Sequence, residues 1–283
     1  MMSSQTVARS GFYSLCRMPS INKAIVLHAV VPVRAAAAEE AEQTTQLLFA
    51  QTVSVLKSQP RWLLIRNDDD DQEGWVDRKM LSPLSSDEWQ AFRAARKDAM
   101  VAMPVTYAVS ENNGQTIPLS LGTTLPDYQD GRFSLLGVSF RIDPMMIIER
   151  PLELTETNLQ RVCRFLLNVP YLWGGKNGLG MDCSGMTQQV MKLFGFRLPR
   201  NASQQAKEGR AVAFDEAKAG DMAFFCHTPQ EGGPALDEAN PRVTHVGLML
   251  NSNTLIHCSG RVKLETITAE GLPTHRLLAL RRL

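Results

Sequence analysis

At 283 residues the chain exceeds one small domain, and two or three domains are expected. Its 44% hydrophobic and 21% charged residues are those of an ordinary globular protein, and a net charge of +1 gives neither nucleic acid nor an anionic membrane a reason to bind. Five cysteines, odd in number, irregular in spacing and without a Cys-x-x-Cys pair, argue against a disulfide framework or a structural zinc site and fit reduced thiols.

Residues 1–22 are polar and mixed, with Arg9 and Arg17 and no apolar core. No secretory signal is read there, no apolar run is long enough to span a membrane, and a cytoplasmic protein is expected. From Lys23 to Leu81 short β-runs follow one another: Ala24–Leu27, Val30–Arg34, Gln46–Phe49, Thr52–Lys57, Trp62–Arg66 and Trp75–Val76. Strands this short and closely spaced predict a small barrel over 23–84. The acidic run Asp68–Asp71 lacks the alternating ligands of a calcium loop and reads as a solvated hairpin tip. Residues 85–100, with a serine or aspartate cap, early acids and late bases, predict a linker helix. Residues 101–150 return to β signals, with turns at Asn112-Asn113-Gly114 and Gln129-Asp130-Gly131, and predict a second small barrel.

From Thr155 the pattern changes. A helix carries Leu159, Val162, Cys163, Leu166 and Leu167, and strand-rich segments come later, so 151–283 is expected to be an α+β domain. Within it, Tyr171–Gly185 is a glycine-rich loop that ends in Asp182-Cys183-Ser184-Gly185, followed at once by the apolar positions Met186, Val190, Leu193 and Phe194. That pattern delivers Cys183 to a helix N-terminus, where unpaired N–H groups favour a thiolate. A thiolate nucleophile needs a base, and the base needs an orienting group. His245 and His257 lie on two runs joined by Asn251-Ser252-Asn253. A loop centred on Asn251 places the two imidazoles directly opposite on one face, with Cβ atoms ~5 Å apart. One imidazole can then be the base for Cys183 while the other orients it, and the order with His245 as base and His257 as orienter rests partly on a family resemblance. Tyr171 can donate its hydroxyl to an oxyanion alongside the Cys183 N–H, and Trp173 either lines the site or braces the loop. His28, His227 and His275 are read as surface or core residues, and Cys16, Cys163 and Cys226 as packing thiols. Alternation turns Cys258 away from His257.

The motifs Tyr-x-Trp-Gly-Gly, Asp-Cys-Ser-Gly, Leu-Pro-Arg, Gly-Asp-Met-Ala-Phe-Phe, His-Val-Gly-Leu and Ile-His, in this order from Leu152 to Leu283, resemble the NlpC/P60 cysteine peptidases. The resemblance implies a papain-like domain with Cys183, His245 and His257 as its triad, Tyr171 at the oxyanion site, and Asp182 and Ser184 touching substrate. It implies no metal or organic cofactor. Val31–Glu42, Gln46–Phe49 and Glu73–Arg78 resemble bacterial SH3 domains, and the whole is similar to murein peptide recycling enzymes. Those are γ-D-glutamyl-L-diamino acid endopeptidases acting on peptides with a free N-terminal L-alanine, and in them the first SH3 domain caps one end of the cleft. The implied partner is a peptidoglycan stem peptide or murein tripeptide, and Glu42 matches the acidic residue of that first barrel. Three positions depart from the pattern: Gln72 stands where a tyrosine is typical, Asn201 where an aspartate is, and Ala202 where a serine often is. A neutral amide at Asn201 weakens the expected grip on an ammonium group. Another acyl-transfer chemistry on the same fold, an amidase or acyltransferase, is the first rival reading, and a non-catalytic wall-peptide binder is the second. An extended loop, Thr228–Arg242, precedes His245 and either covers the cleft or is a surface insertion.

Overall fold

In the computed structural model, residues 22–227 and 241–283 are described. The segment 1–21, from which no leader was read, and 228–240, the body of the extended loop, lie outside the described residues.

Alternating β-branched residues build the first unit. In Val30–Arg34 the side chains of Val31 and Val33 are buried and their neighbours are not. Seven antiparallel strands, from Lys23–Ile25 to Ser82–Pro83, curl around Val31, Val33, Leu47, Val53, Leu63, Ile65 and Val76. The helix that follows spans only Ser86–Ala94, shorter than the 85–100 expected. Ser85 is its N-cap and forms a capping box with Glu88. Its end is set from outside: the Arg96 N–H is drawn to Asp127 Oδ1 at 2.9 Å, and Ala99 and Met100 are pulled into buried sites. Long-range contacts there override helix propensity.

Between Met100 and Ile148 lies a second β-unit, with a four-stranded antiparallel sheet and a terminal strand pair. Its core of Val101, Ala108, Leu119, Leu125, Phe133 and Ile142 is shared with Ile25 and Phe49 of the first unit. Phe49 meets Phe133 edge-on at 6.2 Å and Phe140 at 5.8 Å, so one apolar cluster joins the two units.

The third unit is α+β. Helices Glu156–Cys163 and Cys183–Lys192 precede an antiparallel sheet whose strands run in the order Arg210–Val212, His275–Arg282, Met222–His227, His245–Met249, Thr254–Ser259, Arg261–Thr266. One sheet face (Met222, Phe224, Val246, Leu248, Ile256, Cys258) packs with Met186 and Val190 of the second helix. The alternate positions Phe225, Met249 and Leu255 belong to a smaller cluster on the other face. Nine of the ten residues of Cys183–Lys192 are buried, because the sheet covers one side of this helix and the β-units cover the other.

The acidic run Asp68–Asp71 corrects the expectation of a solvated tip. It does form a hairpin tip, but the tip is docked. Asp70, with its side chain 3% exposed, lies 3.5 Å from the Lys176 ammonium, itself 1% exposed, and accepts a 3.1 Å bond from Gln188 of the buried helix. Arg197 donates to the main-chain carbonyls of Asp68 and Asp69. A cavity of ≈ 250 Å³ remains where the three units meet, lined in part by Phe49, Phe92, Lys97, Lys176, Gln188 and Phe196.

Candidate active site

Cys183 is the first residue of its helix, and Asp182 is the N-cap, its Oδ1 accepting the Gly185 N–H at 2.7 Å. A side chain at Gly185 would collide with the Gly175 carbonyl, so the loop and the first helical turn touch backbone to backbone. Asp182 and Ser184, expected to contact substrate, are both hydrogen-bonded within the protein. Arg200, 1% exposed, donates to Asp182 Oδ1 at 3.0 Å, to Asp182 Oδ2 at 2.6 Å and to the Ser184 hydroxyl at 2.9 Å. Asp182 Oδ2 also takes the Gly174 N–H at 3.0 Å. With its oxygens engaged on every side and only 7% of its surface exposed, Asp182 is a clamp for the nucleophile loop. Leu-Pro-Arg was visible as a motif, but its arginine carried no local signal of burial.

The helix N-terminus does not produce a thiolate. Burial pushes the Cys183 thiol up to about 11 and the Asp182 charge adds to this, against the pull of the Val246 and Ser184 N–H groups and of Arg200. Burial, and then His257 and His275, lower His245 well below the usual imidazole value. Both directions favour a neutral thiol and a neutral imidazole over an ion pair.

His245 and His257 do meet, with Nε2 of the first 2.7 Å from Nδ1 of the second. Their register differs from the expected one. Gly247, not His245, lies opposite His257, so the histidines form a diagonal pair on one face. The cause is the turn: Asn251 Oδ1 accepts the N–H groups of Asn253 and Thr254, which makes a three-residue loop centred one position later than expected. Val246 reaches Cys183 through its N–H, which sets Cys183 at the start of the His245 strand, yet no thiol–imidazole hydrogen bond is formed. Nucleophile–base bonds of this kind tighten when substrate binds. Cys258 faces the helix side of the sheet, its thiol on the Met181 carbonyl at 3.1 Å.

Two residues near the pair carried no sequence signal. His275, read as a surface or core residue, is 5% exposed, with its ring centroid 4.6 Å from that of His245. Burial and His227 push it down to about 4. Glu265 stands on the strand beyond His257, with Oε2 2.8 Å from His257 Nε2. Both reach the site through strand order, which spacing along the chain does not reveal.

On the other side, Tyr171 is half-buried, and its phenol is pushed up by burial and by the nearby Cys183 and Asp182, so it stays protonated as a donor. Trp173 is 61% exposed, and its indole N–H donates to Glu42 Oε1 of the first unit at 2.6 Å. Gln43 Nε2 holds the Trp173 carbonyl at 2.9 Å. Gly174 has φ +71°, and a side chain there would strike the Gln43 carbonyl, so glycine lets the first unit touch this loop. Asn201 caps a short helix with Gln204 and donates to Gln72 Oε1 at 3.2 Å. Two of the three departures from the resembled pattern are thus hydrogen-bonded to each other. Among the described residues no group of three or more His, Cys, Asp or Glu could hold a metal ion.

An α+β unit with one thiol at a helix N-terminus and paired imidazoles on the adjoining strands is built as a cysteine peptidase, and known proteins return the same class. Residues 168–282 match the NlpC/P60 family and residues 29–82 the bacterial SH3 domain. Over 253 residues the chain is 30% identical to the gamma-D-glutamyl-L-lysine dipeptidyl-peptidase of Bacillus subtilis (strain 168), covering 84% of this chain and 80% of that one. The protein of the same name from Bacillus cereus (strain ATCC 10987 / NRS 248) is 25% identical over 238 residues, 75% of this chain and 66% of its own length. The crystal structure of an NlpC/P60 family protein from Bacillus cereus ATCC 10987 has the same fold over 92% of this chain and 99% of its own, with a TM-score of 0.79 at 19% identity. With that likeness spanning most of both sequences, the chain belongs to the NlpC/P60 family.

Proposed function

We propose that this peptidase hydrolyses the γ-D-glutamyl–L-diamino acid bond of peptidoglycan stem peptides, and that its substrates are short fragments with a free N-terminal L-alanine. Cys183 attacks the γ-carbonyl while His245 takes the thiol proton and His257 holds the His245 ring. The oxyanion is met by the Cys183 N–H and the Tyr171 hydroxyl. His245 returns the proton to the leaving amine, an acyl-enzyme remains, and water releases it. A neutral thiol–imidazole resting state suits this sequence, since the proton moves only as the sulfur attacks.

The observation that carries the substrate reading is the Glu42–Trp173 bond. It sets a carboxylate from the SH3 unit beside the nucleophile loop, which supports recognition of a peptide amine there. The name of the Bacillus subtilis relative supports the same bond as the scissile one. The neutral Gln72–Asn201 pair favours a second reading, in which peptides with a blocked N-terminus are also accepted.

The test is a mass-spectrometric digest of L-Ala-γ-D-Glu-L-Lys and its N-acetyl form, with Cys183→Ala alongside. Cleavage of the free peptide alone, abolished in Cys183→Ala, is the expected result. Cleavage of both peptides establishes the second reading. If neither is cut while Cys183 still reacts with iodoacetamide, the peptidase substrate is wrong.

A further inference from the structure

Three adjacent strands each contribute one side chain to a single row. His245 begins its strand, His257 lies on the next, and Glu265 lies on the one after. His257 faces Gly247 on one side and Lys263 on the other, so both its partners are diagonal neighbours on the same face. Its Nδ1 is 2.7 Å from His245 Nε2, and its Nε2 is 2.8 Å from Glu265 Oε2. The carboxylate oxygen sits off the axis of the Nε2–H bond, so the contact is electrostatic more than a linear hydrogen bond. The other oxygen of Glu265 is held by Lys263 Nζ at 2.8 Å.

We infer that Glu265 is a positioning residue of this active site, acting through His257 to fix which nitrogen of His245 is the base. This rests on the triad reading proposed above. A carboxylate can only accept, so it selects the His257 tautomer that carries its proton on Nε2. Nδ1 of His257 is then a lone-pair acceptor, and the 2.7 Å contact requires the proton on His245 Nε2. His245 Nδ1 is left unprotonated, as the nitrogen able to take the thiol proton. When His245 becomes an imidazolium, the charge is shared along the row and is met by Glu265, one residue removed. No covalent step is added. The carboxylate stays ionised, held below its usual range by Lys263 and His257.

The groups facing the pair set the sign of the pH response. Lys263 shares the Glu265 strand, His275 and His227 lie on strands beyond His245, and Asp182 and Cys183 lie on the helix side. Burial lowers His257, Glu265 opposes that, and Lys263 adds to it. Removing the Glu265 charge therefore lowers the imidazole pKa values further, and removing the Lys263 charge raises them.

The experiment compares the full-length protein with Glu265→Gln, Glu265→Asp and Lys263→Met, using L-Ala-γ-D-Glu-L-Lys. For each, kcat, KM and the acidic limb of kcat/KM are measured across pH. Glu265→Gln should lower kcat by about tenfold with KM little changed, as the loss of a carboxylate behind a working histidine does. Its acidic limb should move to lower pH and that of Lys263→Met to higher pH, while Glu265→Asp recovers part of kcat. Wild-type kcat and an unmoved limb in Glu265→Gln would overturn the proposal. So would activity lost in step with melting temperature and without a limb shift, which is what a merely structural carboxylate would give. If the wild type cuts no peptide, the substrate reading fails separately. Iodoacetamide alkylation of Cys183 over the same pH range still reads the imidazole limb, and no shift between Glu265→Gln and wild type there overturns the Glu265 assignment.

Discussion

The two β-units are attached to the catalytic unit by different chemistry. The first is held by polar contacts: Asp70 on Lys176 and Gln188, Thr45 on Arg200 at 2.7 Å, Gln46 on the Lys176 N–H at 3.0 Å, and Glu42 on Trp173. The second is held chiefly by Met100 and Leu121, which sit within the catalytic core, with one 2.7 Å bond from the Gly178 N–H to Ser120. Directional bonds fix orientation, whereas apolar burial supplies non-directional cohesion. The unit that carries Glu42 is the one docked by hydrogen bonds, and the other is docked chiefly by apolar side chains.

That contrast can be broken most severely at Arg200. Arg200→Leu leaves Asp182 buried without its counter-charge, and a loss of about 3–5 kcal/mol is expected together with loss of turnover. Urea unfolding and the peptide digest read the two separately, and a stable, active variant would remove the clamp from the account. Lys176→Met should cost a similar ~3–5 kcal/mol by stranding Asp70, but pairing it with Asp70→Leu should recover most of that loss. A double variant as unstable as the single one would show that the ion pair is not what docks the tip. In the second unit, Leu121→Ala is expected to cost about 2–5 kcal/mol through the cavity it leaves, with KM for the peptide unchanged. A raised KM would mean that this unit also shapes the site. The smallest effect is expected at Glu42→Gln, where KM for the free-amine peptide should rise by about three- to tenfold while melting temperature stays constant, because the residue is exposed.

What could be read beforehand follows the range of the forces involved. Strand alternation and the Ser85 capping box are local, and the first-unit strands and the helix start were legible from a few neighbouring residues. The helix end was not, since Asp127, far along the chain, decides where Arg96 turns. Parity alone put His245 and His257 on one face, but their offset depended on how Asn251 folds its own turn. Glu265, His275 and Arg200 reach the site only through strand order and long-range packing, and no motif spacing announces that. The Cys183 thiol is the sharpest case. Its helix N-terminus is visible in sequence and favours the thiolate, but its burial is not visible, and burial wins. Above the imidazole limb, alkylation of Cys183 should accordingly rise again as pH climbs toward about 11, and a rate that no longer increases above neutrality would reverse that conclusion.

The docked tip of the first unit changes what a domain boundary means in this protein. Lys176 belongs to the catalytic unit by sequence, yet its charge is tolerable there only because Asp70, 106 positions earlier, closes over it. The same tip touches Gln188 on the helix that begins with Cys183. The SH3 unit is therefore part of the insulation of the catalytic interior. The catalytic segment alone would present the Lys176 ammonium to water without its carboxylate partner.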